Sequence, residues 1–74
     1  MNIEYEKYVG KKIRDLREER GLTQEQLSAR LQTLGCDITR SALAKMEVGQ
    51  RHIYLDELKG IKKLLKTDYS DLLD

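Results

Sequence analysis

The stretch from Leu22 to Glu47 constrains this chain more than any other part of it. It reads as two short amphipathic helices joined by a tight turn: GLTQEQLSARL, a break around Gly35, then TRSALAKME. In Thr23-Gln24-Glu25-Gln26, the threonine hydroxyl can accept the N–H of the third helical residue, and Gln26 can reach back to the threonine N–H, so a helix is expected to start there. Leu22 and Leu27 sit where a hydrophobic staple would. Leu27, Leu31 and Leu34 mark the buried stripe of this helix, and Gly35 ends it. Cys36, Asp37 and Ile38 supply the turn, and Thr39 is a good N-cap for the helix that follows. At about 100° of rotation per residue, Ala42, Leu43 and Met46 fall on one side of that helix and Arg40, Ser41, Ala44 and Lys45 on the other. This outer face is small, polar and partly basic, which suits a helix entering a DNA major groove. The same pattern is also that of an ordinary amphipathic helix with a solvated face.

The rest of the chain is as helical. Proline is absent and only five glycines interrupt the periodicity, so no strand pattern competes with it. Val9, Ile13 and Leu16 predict a first helix from about Tyr5 to Arg20. Gly10 lies inside it, at a propensity cost of about 1 kcal/mol relative to alanine, and Gly21 fits a left-handed stop. The helix opened by Thr39 ends near Val48-Gly49, and Gln50 to Tyr54 form a loop. Leu55, Leu58, Ile61, Leu64 and Leu65 define a fourth helix. Lys66-Thr67 is a turn, and Tyr69, Leu72 and Leu73 mark a short fifth helix. The expectation is one all-α domain over residues 1–74, a compact five-helix bundle without sheet, its two-helix unit at about 23–48.

Composition excludes more than it selects. A chain of 74 residues has room for one core, and without Phe or Trp that core must be aliphatic. Charged residues are 36% of the chain, yet the net charge is only +1, so any basic surface must be built locally. One cysteine and one histidine leave no intrachain disulfide, no thiol metal cluster and few nucleophile–base pairs. There is no phosphate-binding glycine loop and no Gly-x-Ser-x-Gly elbow. The carboxylates are scattered among basic neighbours at helix-surface spacing. An enzyme, a cofactor, a metal site and a small-molecule pocket are therefore not expected. No apolar run approaches a membrane span and no signal peptide opens the chain, which points to a cytoplasmic protein away from membranes.

The blocks IRDLREERGLTQEQLSARL (Ile13–Leu31), ITRSALAKMEVGQR (Ile38–Arg51) and LDELKGIKKLLKTDYSDLL (Leu55–Leu73) resemble the lambda-repressor-like family, the Cro/C1 or XRE-type helix-turn-helix proteins. The resemblance covers nearly the whole chain. It implies a five-helix bundle that binds double-stranded DNA through its second and third helices, commonly as a homodimer. It places Thr39, Arg40, Ser41, Ala44 and Lys45 at base-reading positions. Thr23, Gln24, Gln50 and Arg51 fall near DNA phosphates, and Arg17 and Glu47 at a pair that bridges the first helix and the end of the third. Three features depart from the family pattern. The segment between Leu31 and Ile38 is longer by about a turn, which extends the second helix or its turn. Tyr54 replaces a Ser or Thr cap, and Lys66 replaces a terminal glycine.

The expected function is that of a small prokaryotic or phage transcriptional regulator, a repressor in the first instance. The alternative is a protein-interaction module on the same fold, an antitoxin-like partner or an anti-repressor. His52 is a weaker candidate, and the lysines of the fourth helix read as a solvated face. The C-terminal Tyr69, Leu72 and Leu73 are expected to leave apolar surface for a second subunit.

Overall fold

The computed structural model describes residues 2–74. Five helices follow one another among them: α1 (Ile3–Glu19), α2 (Gln24–Thr33), α3 (Arg40–Glu47), α4 (Leu55–Leu65) and α5 (Tyr69–Leu73). α1 begins two residues before the start that its apolar spacing predicts. The reason is Asn2, whose side-chain oxygen accepts the Tyr5 N–H at 2.9 Å, a capping bond that satisfies an otherwise orphaned donor. α2 carries the full capping box. Gln26 N–H donates to Thr23 Oγ1 at 3.0 Å, and Thr23 N–H to Gln26 Oε1 at 2.9 Å. Thr39 caps α3 through the Ala42 N–H at 3.1 Å.

Each helix turns one stripe to a shared interior. α1 supplies Val9 and Ile13, α2 Leu27 and Leu31, α3 Leu43 and Met46, α4 Leu58, Ile61 and Leu65, and α5 Leu72, with Ile38 entering from the turn before α3. α1 lies across α3 and also touches α4 and α5, while α2 packs on α3 and α4.

Three apolar positions depart from the sequence expectation. Leu34 follows the last helical residue of α2 and is exposed, so the buried stripe stops at Leu31. There, Cys36 N–H bonds back to Leu31 O at 2.9 Å and Gly35 N–H to Gln32 O at 3.0 Å, closing the helix end. Leu55 is 84% exposed at the first position of α4. Leu72 is the reverse: it is fully buried, so it belongs to the core and gives no surface to a second subunit.

The family departures resolve locally. The longer α2–α3 connection lies against α4, where Gly35 and Cys36 face Lys59, Gly60 and Lys63 across a shallow groove. Burial pushes the Cys36 thiol above its usual range, which keeps it protonated. Tyr54 makes no side-chain cap; instead Glu57, three residues into α4, accepts the Tyr54 N–H at 3.1 Å. Lys66 does adopt the left-handed conformation, at φ 51°.

Gly10 explains itself once α1 and α3 are seen together. A β-carbon there would overlap the backbone carbonyl of Met46. The two helices cross with their backbones almost in contact, and only glycine permits that approach.

Candidate nucleic-acid interface

The outer face of α3 carries Arg40, Ser41 and Lys45, all exposed, with Ala44 half-buried between them. Neither Arg40 nor Lys45 makes an ion pair or a side-chain hydrogen bond within the described residues. Arg40 stands in the first turn of α3, where the partial positive charge of the helix end opposes a cation. Thr39 precedes it with its oxygen engaged as a cap. Arg40 also shares an open cleft with Arg17, Thr23 and Gln24 at the start of α2. The structure thus brings the start of α2 and the outer face of α3 to one side of the molecule.

Beneath that side lies a hydrogen-bonded strut. Arg17 Nε donates to Glu47 Oε2 at 2.8 Å and Arg17 Nη2 to Glu47 Oε1 at 3.0 Å, a two-bond pair in which the Glu47 side chain is only 1% exposed. Arg17 Nη1 donates to the Leu22 carbonyl at 2.7 Å. The Glu47 hydrogen bond, offset in part by burial, raises the Arg17 pKa further above its ordinary value. Glu47 Oε1 also accepts Gln24 Nε2 at 3.0 Å. One carboxylate therefore holds α1, the start of α2 and the end of α3, and fixes the Gln24 amide at the mouth of the cleft. Such networks orient groups more dependably than isolated surface pairs do.

The loop after α3 gives its cation a partner within the fold. The resemblance implies that Arg51 comes near a DNA phosphate, and in the structure it does not stand free. Instead its Nη1 and Nη2 donate to Glu57 Oε1 and Oε2, each at 2.9 Å, and Nη1 also donates to the His52 carbonyl at 3.0 Å. Its charge is neutralised by a largely buried glutamate, and its planar fork pins the loop to α4. Gln50 remains exposed; its N–H closes α3 on Lys45 O at 2.8 Å. His52 Nδ1 lies 2.8 Å from Glu6 Oε2, and Glu6 Oε1 accepts the Ile53 N–H at 3.2 Å. Glu57 and Glu6 were not singled out from the sequence. Glu57 carried a signal, since it stands three residues after a helix start that lacks a capping side chain. Glu6 carried none, because its partners are more than 40 residues away in the chain.

The Arg51 hydrogen bond holds the Glu57 carboxyl below its ordinary value of 4.5, against the opposing effect of burial. A carboxyl whose folded pKa lies below its unfolded one stabilises the fold above the unfolded value, and that contribution is lost as pH falls through the folded one. The Glu6 and Asp71 carboxyls are also lowered, first by hydrogen bonds from His52 and Thr67, so their contributions carry the same sign. The urea midpoint is expected to fall as pH drops from 6 toward 3. Glu57→Gln should be less stable than the parent at pH 6, with the difference shrinking in acid. A constant difference across that range would show that Glu57 does not titrate with folding.

Against known proteins, the helix-turn-helix family matches residues 13–72. Control protein C.BamHI of Bacillus amyloliquefaciens is 32% identical over 65 residues, which cover 88% of this chain and 75% of that protein. The crystal structure of the DNA-binding domain of BldD superimposes with a TM-score of 0.82 over 100% of both chains at 22% identity, a likeness of fold. The matched span runs from α1 into α5 and includes the paired helices and the strut beneath them. The chain belongs to the helix-turn-helix family, of the Cro/C1 (XRE) type that its motifs resemble.

Proposed function

We propose that this small DNA-binding transcriptional regulator reads a specific double-stranded site with the outer face of α3 and acts by occupying it, as a two-fold homodimer in the cytoplasm. The observation that carries the reading is Arg40: an exposed, unpaired cation at the disfavoured end of α3, next to an anchored Gln24. A guanidinium so placed can donate two hydrogen bonds to guanine O6 and N7. Ser41 and Lys45 flank it toward neighbouring bases, Ala44 allows close approach, and Thr39 is a cap that also borders the groove. Gln24, Thr23 and the N–H groups of the first turn of α2 set register on a phosphate, with Gln50 near the opposite end of α3. Arg51 is left out of the contact set because its fork is taken by Glu57. Binding, without catalysis or cofactor, is the whole activity in this reading.

The exposed apolar residues favour DNA over a protein partner at this face. Apart from Val48, the large ones lie elsewhere, on α1, α4 and α5, at Leu34 just after α2 and at Tyr54 just before α4. Tyr69 and Leu73 border an apolar groove with Leu55 and Leu58, and this surface is where a second copy of the chain would sit.

Selection of bound sequences from random duplexes, followed by titration of the winner, tests the reading. Arg40→Ala is expected to weaken binding to the selected site by roughly 1–3 kcal/mol more than to random DNA. Two chains per duplex are expected in sedimentation. Equal losses on both DNAs would make Arg40 a phosphate contact, and no selected sequence at all would overturn the function.

A further inference from the structure

We propose that Lys7, Lys11 and Arg14 on α1 form a second phosphate-binding ridge, which grips the sugar-phosphate strand of the same duplex where it passes the C-terminal end of α3. The proposal rests on the DNA-binding reading above and names a contact surface outside the two paired helices. Spacings of four and three residues put the three cations on one face of α1. That face borders an open groove of about 650 Å³, whose other wall is Glu47, Val48 and Gln50. Val48 is 46% exposed. By helical rotation it lies within about 40° of Ser41 and Ala44, so the groove opens onto the base-reading side.

Its depth is set by close packing. A β-carbon on Gly49 would lie 2.7 Å from Lys7 Cβ, and Gly49 has φ +77°, so the turn after α3 rests directly on α1. The Glu47 carboxylate does not oppose an anion here, because it is turned to Arg17 and Gln24. Glu4 is the acidic group left at the groove's edge. Lys11 pairs with Asp15 at 2.9 Å and Arg14 with Glu18 at 3.7 Å, both on exposed helix surface. Such pairs exchange readily for a phosphate. The chain as a whole carries only +1. The groove is lined by three cations against one carboxylate left free among the described residues, Glu4, while Asp15 and Glu18 partner Lys11 and Arg14 from outside the groove lining. The cations therefore face the groove, continuous with the proposed interface, and a phosphate strand is the partner that matches them.

Fluorescence-anisotropy titrations across a salt series test the ridge, using the duplex selected by the unmodified protein and a random duplex of equal length. The variant Lys11→Gln with Arg14→Gln is compared with a charge-matched control, Lys63→Gln with Lys66→Gln at the end of α4, two exposed lysines outside the α4–α5 groove. Each neutralised phosphate contributes about 0.9 to the slope of log affinity against log salt, so the ridge variant should lose roughly 2–4 from the slope of a dimer. Its affinity should fall about tenfold or more on both duplexes alike, and the control should keep the parental slope. Circular dichroism and urea midpoints establish that both variants are folded. Should the double variant fail to fold, Lys11→Gln alone is expected to lower the slope by about half as much. A parental slope in the ridge variant, equal slope losses in both variants, or a loss confined to the selected duplex would overturn the proposal. A parent protein that binds no duplex would instead overturn the DNA reading itself.

Discussion

Glu47→Ala is expected to unfold much of the protein at moderate temperature. The substitution strands Arg17, whose side chain is only 9% exposed and whose guanidinium makes two of its three hydrogen bonds to Glu47. It also frees Gln24. Removing one partner of a buried ion pair costs about 3–5 kcal/mol, because the remaining charge keeps its desolvation penalty and loses its compensation. A domain this small holds only about 5 kcal/mol in reserve. Arg17→Ala should cost a comparable amount. The double variant should lose less than the two singles added together, since neither charge is then left alone. Urea melts of the four proteins measure the coupling. Additive losses, or singles costing under about 1 kcal/mol, would show that the pair behaves as an ordinary surface contact.

Gly10→Ala should also destabilise, although helix propensity alone predicts a gain of about 1 kcal/mol. The added methyl would meet the Met46 carbonyl, which is backbone and cannot swing aside. Relief requires α1 and α3 to separate, and overpacking of this kind costs about 1–3 kcal/mol or more. Gly60→Ala is the matched comparison. Gly60 lies inside α4, and its new β-carbon would meet only Cys36 Sγ at 3.4 Å and neighbours farther off. That variant should be neutral or more stable by up to about 1 kcal/mol. A thermal midpoint for Gly10→Ala at or above that of the parent would mean that the crossing is looser than it looks.

Gly10 also marks the boundary of what the sequence made legible. Local devices were readable because both partners lie within a few residues. The Thr23–Gln26 box and the Thr39 cap are each written in four consecutive positions, whereas the left-handed Lys66 was signalled only by the glycine that the family resemblance implies there. The helical stripes of α1, α3 and α4 were readable because they repeat. Errors came at the ends of stripes, where periodicity cannot say that the helix has stopped. Leu34 and Leu55 continue the pattern and face solvent, while Leu72, in a helix of five residues, is fully buried. Contacts that depend on how elements meet gave no local signal. Glycine at position 10 looked like a cost until the α1–α3 crossing gave it a purpose. The pairing of Arg51 with Glu57 gave no such signal, because it depends on how the loop meets α4. The Arg17–Glu47 pair was anticipated through family resemblance, since their separation of 30 residues has no periodicity to reveal it.

The way α5 is held has a consequence for linkage. Five residues are too few to be helical on their own in water. α5 keeps its shape because Leu72 is seated in the core, because Asp71 accepts the Thr67 hydroxyl and the Asp68 N–H at its start, and because Tyr5 and Tyr8 donate their hydroxyls to the Leu73 and Asp74 carbonyls, each at 2.8 Å. A five-residue element with one fully buried side chain is the natural first unit to open, well below the free energy of global unfolding. Tyr69 and Leu73 on α5 line the same apolar groove as Leu55 and Leu58 on α4. Opening α5 dismantles that groove, so a subunit bound there favours the closed form by mass action. Amide protection in α5 would then rise with protein concentration while protection in α2 and α3 stayed level, coupling self-association to the order of the last turn of chain.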